Sequence, residues 1–208
     1  MARIEPNQRD IIGFSFDNEE KRAKWIDLVK TIANWVEDND LAHSFVFHGT
    51  SSKRAADILE DGMKPTDITH AISEGSLNDT GSFWGDIYTA SAYAEDTIKE
   101  RDPGYEPVLL IARTAELEEE YDLRPDLATL DFPLKGLTKL EDKELADDWI
   151  NHHSMKTWPQ GLSDLGAIIA IHDGYLDPAY MKPIKSKADF EEISRLLRAE
   201  EATLFPVR

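Results

Sequence analysis

The stretch FVFHGTSSKRAADILEDGM, residues 45–63, decides the fold of this 208-residue chain. A short apolar run, within a strand predicted from Ser44 to Phe47, ends at a histidine and a glycine. A helix follows at once, with its apolar face formed by Ala55, Ala56, Ile58 and Leu59. Ser51 or Ser52 can cap this helix, and Gly62 ends it. The pattern therefore predicts a buried strand that leads directly into a helix.

Further helices and strands are predicted on both sides of this unit. A helix from Asn18 to about Asp38 precedes it, with Asp17 or Asn18 as its cap and a stripe of apolar residues at helical spacing that we expect to pack into the core. After it come a polar loop (Pro65–Gly81), a short strand within GSFWGDIYTA, a helix (Ala90–Arg101), a strand (Pro107–Arg113), an acidic stretch (116–148), a strand (Leu165–Ile171) and a closing helix (Asp189–Glu201). Because strands and helices mix without strict alternation, we predict an α+β fold. Residues 1–43 are expected to pack as a helical segment on a domain spanning 44–208.

The charge of the chain restricts its partners. The 41 acidic and 23 basic residues give a net charge of −18. Such a field repels nucleic-acid phosphates, so direct non-specific binding to DNA or RNA is disfavoured. A basic protein, or the basic face of a nucleoprotein complex, fits better, and a decoy that mimics a duplex is a further alternative.

The chain has no cysteine, and we expect no signal sequence. The lack of cysteine excludes a disulfide, a thiolate zinc site and a thiol nucleophile. The N-terminal residues lack an apolar signal core, and no apolar run has the length of a membrane span. We therefore expect a cytoplasmic protein without a membrane partner. No HExxH or similar spacing occurs, and His152, His153 and His172 do not form a zinc motif, so no metal site is expected.

His48, Gly49 and Thr50 form the first candidate for chemistry. A lone histidine at a strand end is often a hydrogen-bonded core residue. The adjacent glycine favours a second interpretation, because a flat ligand can approach a backbone that has no Cβ. An amide of the ligand can then pair with the peptide of Gly49, while His48 and Thr50 contact its hydroxyl groups.

The second candidate lies in GSFWGDIYTASAYAED, residues 81–96. We predict that Tyr88 ends a strand and that Tyr93 lies in the first turns of the next helix. These aromatic residues are either part of the core or a stacking platform for a flat, cationic ring. Under the second interpretation, the two motifs face each other across one cleft.

Together, FHGTS, G-x-x-W-G-D-I-Y-T-A and the following A-Y-A resemble the ADP-ribosyltransferases of the poly(ADP-ribose) polymerase and diphtheria-toxin type. The resemblance covers Ser44 to Arg113. It implies a split, mixed β-sheet with flanking helices, and NAD as the co-substrate. It further implies that His48 binds the adenosine ribose, that Gly49 clamps the nicotinamide carboxamide and that Tyr88 stacks on the nicotinamide. The remaining cofactor-binding residues on this interpretation are Thr50, Ser82, Trp84 and Tyr93.

The third catalytic residue departs from the family pattern. The family usually carries a glutamate on a late strand, whereas aspartates follow LGAIIAI here. We favour Asp173, because it closely follows the apolar strand. Asp177 and His172 are alternatives, although Asp177 precedes Pro178 and suits a turn. The departure disfavours polymer formation and leaves single transfer, or cleavage of NAD, as the expected outcome.

The sequence thus predicts an NAD-dependent mono-ADP-ribosyltransferase with His48, Tyr88 and Asp173 as its catalytic residues. A bacterial or viral effector, or the toxin of a toxin–antitoxin pair, fits this interpretation. An acidic binding or inhibitor protein on the same fold is the alternative from another class, motivated by the charge and the missing glutamate. NAD hydrolysis alone and RNA 2′-phosphate transfer to NAD remain as related chemistries.

Overall fold

A computed structural model of the protein describes residues 18–41, 44–64, 66–67, 80–121, 123–125, 169–172 and 174–198. Its strands are β1 (Phe45–Ser51), β2 (Thr66–Asp67), β3 (Thr80–Gly85), β4 (Pro107–Arg113), β5 (Leu123–Pro125), β6 (Ile169–His172) and β7 (Lys182–Ile184). Its helices are α1 (Glu19–Asp38), α2 (Ser52–Asp61), α3 (Ile87–Glu100), α4 (Thr114–Glu120) and α5 (Lys187–Arg198), with a 3₁₀ turn at Pro178–Tyr180. Helices around a sheet confirm the α+β prediction.

The sheet has the strand order β5-β6-β3-β1-β4-β7, and β2 also pairs with β3. Every pair among the described strands is antiparallel, so the prediction of a mixed sheet is wrong for this part of the chain. A strand that is buried on both faces has a continuous apolar pattern whichever way its neighbours run. Whether the strands are parallel or antiparallel therefore follows only from their pairing in the folded chain.

Alternating residues of β1 enter two different cores. Phe45 and Phe47 lie on the face covered by α1 and α3, together with Leu109 and Ile111 of β4. Val46 lies on the other face, in a cluster that includes Ala55 of α2. The central strands are therefore buried on both faces, which explains why β1 and β4 are almost continuously apolar.

Helix α1 follows the boundaries predicted from the sequence. The side-chain oxygen of Asn18 accepts a hydrogen bond from the N–H of Glu20 at 2.7 Å and caps the first turn. The inward side chains of α1 are buried in the same core as those of β1 and β4: Trp25, Leu28, Val29 and Ile32. The prediction that this stripe packs into the core is confirmed.

Helices α2, α3 and α5 occur where the sequence predicts them, and α3 and α5 begin a few residues earlier than expected. The carboxylate of Asp86 accepts from the N–H of Thr89 at 2.8 Å, so α3 begins at Ile87 rather than Ala90. Ser51 caps α2, and Gly62 ends it with a φ of +83°. The predicted inward position of Ala56 is wrong, because this side chain is exposed. Among the described helices, none combines the length and the apolar character needed to cross a membrane.

Several predicted elements lie partly outside the described residues. Most of the polar loop 65–81, most of the acidic stretch 116–148 and the first residues of the strand predicted at 165–171 lie outside them. The closing helix is α5, which begins at Lys187 rather than at the predicted Asp189 and is described as far as Arg198; its predicted end at Glu201 lies outside the described residues. The predicted division at residue 43 remains a prediction, although α1 and the strands share one apolar cluster.

The contact between α1 and α3 contains a buried carboxyl group. Glu95 is 4% exposed, and its Oε1 accepts a hydrogen bond from the indole Nε1 of Trp25 at 2.9 Å. Burial raises the pKa of Glu95, although the Trp25 bond and the charge of Arg22 act in the opposite direction. Ionising this side chain therefore costs the folded state free energy.

We expect Glu95→Gln to be at least as stable as the natural protein at pH 7. A raised carboxyl pKa contributes stability below the ordinary value of about 4.3, and this contribution is lost as the pH rises through the folded-state pKa. The amide keeps an acceptor for Trp25 but carries no charge. Urea unfolding between pH 4.5 and 8 should show the stability difference growing with pH in favour of the variant. Glu37→Gln, at an exposed glutamate of α1, is the control; an equal pH trend in both variants would contradict the assignment.

Candidate functional site

The sheet splits between β1 and β3. The two strands share one described residue pair, Phe47 with Gly85, although β1 continues to Ser51 and β3 begins at Thr80. His48 directly follows Phe47, and Tyr88 lies just after Gly85 in the first turn of α3. The two sequence motifs therefore meet at this pair. Beyond it, β1 and β3 continue without pairing with each other, and we call this region the split.

The backbone of Gly49 points toward the split. At the ends of the β1–β4 ladder, the N–H of Ser52 donates to the carbonyl of Glu106 at 2.7 Å, and the N–H of Thr114 donates to the carbonyl of Ser44 at 3.1 Å. Hydrogen-bonded positions alternate along an antiparallel pair, so even-numbered residues of β1 bond to β4. The N–H and C=O of Gly49 consequently face the opposite side, toward β3.

The lack of a side chain at Gly49 also has a packing role that the sequence did not reveal. A Cβ at this position would lie 1.6 Å from the backbone oxygen of Ala90 and 2.8 Å from the backbone nitrogen of Ala94. Helix α3 thus packs directly on the backbone of β1. One face of the glycine is filled by protein, and only its peptide edge is directed toward β3.

His48 lies within the strand, not at its end. The prediction that the strand stops there is wrong, because Gly49, Thr50 and Ser51 continue the pairing with β4. The imidazole is partly buried, and its ring centre lies 5.6 Å from that of Trp84 with the planes inclined at 50°. This contact joins the first motif to the second.

Thr50 and Trp84, both predicted to bind the cofactor, are buried. Trp84 is 1% exposed and belongs to the apolar cluster on the α2 face of the sheet. Thr50 lies on the same face of β1 as His48, because residues two apart point the same way. The structure therefore places both in the interior beside His48, where they support the strand. The side chain of Ser82 lies outside the described part, and its backbone pairs with His172.

Tyr88 is a helix residue. The prediction that it ends a strand is wrong, because β3 ends at Gly85 and the Asp86 cap starts α3 before it. The residue is 54% exposed. Tyr93 lies farther along α3 and is partly buried, which confirms its predicted place on the helix.

The two aromatic rings of the predicted site belong to different layers. Gly49 contacts α3, so the neighbouring His48 projects from the opposite face of the sheet. Tyr88 is carried by α3 and therefore starts on the other face. A ligand that touches both rings would have to lie at the split, where β1 and β3 do not pair with each other.

The third strand of the predicted site is β6. It pairs with β3 on the side away from β1, and its last residue, His172, lies opposite Ser82. Asp173 falls outside the described residues. Asp177 has a structural role, because its Oδ1 accepts from the N–H of Ala179 at 2.8 Å and caps the 3₁₀ turn. This confirms the turn interpretation of Asp177 and leaves Asp173, with His172 as its alternative, as the prediction.

A buried polar cluster near the end of β1 was missed by sequence reasoning. Asp102 accepts hydrogen bonds from the Ser51 hydroxyl at 2.8 Å and from Arg54 Nε at 2.6 Å. Burial acts to raise the pKa of Asp102, but the bonds from Arg54 and Ser51 outweigh it and lower the pKa. The sequence offers no spacing that would pair these residues.

Within the described ranges, no group of three or more acidic or histidine side chains could hold a metal ion. The arrangement instead offers a directed peptide, an imidazole and an exposed phenol around one split in the sheet. Comparison of the chain with family models, with curated proteins and with solved structures finds no match.

Proposed function

We propose that this protein is an NAD-dependent mono-ADP-ribosyltransferase that modifies a macromolecular target. The observation that supports it most is the direction of the Gly49 peptide, whose N–H and C=O face the split beside His48. A primary amide such as the nicotinamide carboxamide has one acceptor and two donors, so it matches this pair of backbone groups. The proximity of the HGT and GDIYTA motifs at Phe47 and Gly85 supports the same function.

On this proposal, each residue of the split has a separate task. Gly49 orients the nicotinamide, and His48 donates a hydrogen bond to a ribose hydroxyl. The exposed ring of Tyr88 covers the nicotinamide from the α3 side, because a pyridinium ring is attracted to an aromatic face. Asp173 would place a negative charge near the ribose.

The chemistry requires little beyond positioning and one negative charge. The bond from ribose C1′ to the nicotinamide nitrogen breaks, and its electron pair leaves with nicotinamide as a neutral molecule. Positive charge then develops on the ribose, as in glycoside hydrolysis, and a nearby carboxylate stabilises it. A nucleophile of the target forms the new bond to C1′ and releases one proton. Water in place of that nucleophile gives NAD hydrolysis.

The charge of the chain suggests the class of target. With a net charge of −18, association with a basic protein is favoured by long-range attraction, and association with free nucleic acid is opposed. We therefore propose a basic protein, alone or within a nucleoprotein complex, as the acceptor of ADP-ribose.

Labelled NAD provides the test. Incubated with a cell lysate, the natural protein should label a macromolecule and release nicotinamide. Tyr88→Ala should reduce the rate by about tenfold or more, because a desolvated cation–π contact is worth about 2 kcal/mol. Tyr175→Ala, which removes another half-exposed phenol, should leave it unchanged.

The alternatives give different results in the same experiment. Nicotinamide release without labelling would indicate NAD hydrolysis. If NAD produces neither calorimetric heat nor a thermal shift, the transferase proposal fails and an acidic binding or inhibitor protein is favoured. Equal labelling by the natural protein and Tyr88→Ala would remove this ring from the site.

A further inference from the structure

The start of α2 carries a guanidinium group that is held by a buried carboxylate. Asp102 is 4% exposed, and it binds Arg54 through the side-chain nitrogen Nε. The terminal nitrogens Nη1 and Nη2 have no hydrogen-bond partner within the part of the chain that the structure describes. The side chain is 43% exposed. Arg54 is thus fixed in position and still has its outer donors available.

A second cation and an aromatic ring lie beside it. Lys53 Nζ is 3.7 Å from the other carboxylate oxygen of Asp102 and 5.8 Å from the ring centre of Tyr105. Two cations share one carboxylate, so these three side chains carry a net positive charge in a chain whose total is −18. This local excess would attract an anion and is not required to neutralise Asp102.

This cluster lies at the end of β1, close to the peptide of Gly49 that faces the split. Ser51 ends β1, donates to Asp102 and caps the helix that presents Lys53 and Arg54. A strand rises about 3.3 Å per residue, so Ser51 lies about 7 Å beyond Gly49 along β1. One ribose unit can span a distance of this order.

We propose that Arg54 and Lys53 form a binding site for a diphosphate group. Resting on the proposed function, we assign to it the diphosphate of NAD, bound while the nicotinamide lies on the Gly49 peptide. The fork of Nη1 and Nη2 suits two oxygens of one phosphate, and Lys53 adds a point charge for the next. Asp102 is a positioning residue, because it holds Arg54 and would not touch the ligand.

The binding test uses sodium pyrophosphate alone, added at constant ionic strength to the ¹⁵N-labelled protein. Saturable amide shifts should appear in the first turn of α2. Arg54→Gln should weaken the affinity about tenfold, since a charge-assisted hydrogen bond is worth about 1.5–3 kcal/mol. Lys64→Gln removes the same charge at an exposed residue just beyond the far end of α2 and should change the affinity less than twofold.

The control for folding is Lys53→Gln, which leaves the hydrogen bonds of Asp102 intact. We expect it to weaken pyrophosphate binding about threefold while its amide spectrum remains that of the folded protein. Equal affinities of the natural protein, Arg54→Gln and Lys53→Gln would overturn the site. Shifts spread over the whole surface, without saturation, would overturn it as well.

The outcome is separable from that of the proposed function. If pyrophosphate binds at Arg54 and NAD shifts none of the same amides, the assignment to NAD is wrong while the anion site stands. If NAD is cleaved and Arg54→Gln leaves its KM unchanged, the transferase stands and this assignment fails. A rise in KM of about tenfold with kcat retained is the expected result.

Discussion

Gly49→Ala should destabilise the protein by about 3 kcal/mol or more. The added methyl group would lie 1.6 Å from the backbone oxygen of Ala90. Backbone atoms of a helix cannot rotate away as a flexible side chain can, so α3 must move off β1 as a whole. Forced overpacking usually costs about 1–3 kcal/mol, and the absence of a movable neighbour places this site at or above the upper end.

Urea unfolding followed by circular dichroism measures this effect, and Gly104→Ala is its control. Gly104 has a positive φ of +87° but no atom within 4 Å of the added Cβ. Its replacement should cost only the backbone strain of a left-handed alanine, about 1–2 kcal/mol. A cost at Gly49 no larger than at Gly104 would show that α3 does not pack on the strand as described.

The result bears directly on how mutants of the site are interpreted. Loss of activity in Gly49→Ala would follow from the displaced helix alone, with no bound NAD required. Only substitutions that leave the packing intact, such as Tyr88→Ala at an exposed position, can test ligand binding.

Asp102→Ala should lower the free energy of unfolding by about 2–3 kcal/mol. The substitution leaves the buried hydroxyl of Ser51 without its acceptor and removes the partner of Arg54 Nε. Hydrogen bonds to charged groups contribute about 1.5–3 kcal/mol, and breaking a fully buried ion pair costs about 3–5 kcal/mol. Arg54 is partly exposed, so solvent can compensate for some of its loss and the lower values apply.

The pH dependence of this effect has a definite sign. The pKa of Asp102 is lowered in the folded state, so its contribution is present above the ordinary value of about 3.9 and is lost as the pH falls through the folded-state pKa. The natural protein and Asp102→Ala should therefore become more similar in stability as the pH drops below about 4.

Asp61→Ala provides the matched comparison. Asp61 pairs with Lys64 at 3.6 Å, and both side chains are 68% exposed. An exposed ion pair contributes about 0–1 kcal/mol, so the stability should change little at any pH. If Asp102→Ala behaved in the same way at pH 7, the cluster around Asp102 would not join α2 to the turn before β4.

Local patterns in the sequence predicted the secondary structure of much of the described chain. The capping residues and spacing of α1, the buried strand at 107–113 and the helix after Ser51 were all predicted, because each depends on residues close together in the chain. These patterns also placed Tyr93 on α3 and Asp177 in a turn. The end of β1 and the start of α3 were wrong, since pairing with β4 and the Asp86 cap extended both elements beyond the apolar runs.

Long-range contacts set the direction of the strands, the split at Phe47 and Gly85, and the face of the sheet on which His48 lies. They also gave Gly49 its contact with α3 and Asp102 its partners Ser51 and Arg54. These features join residues far apart in sequence, and their geometry is set by pairing register and helix packing. Patterns of nearby residues carry no information about register or helix packing. The sequence therefore cannot distinguish a glycine that lets a ligand approach the backbone from one that lets a helix pack against it.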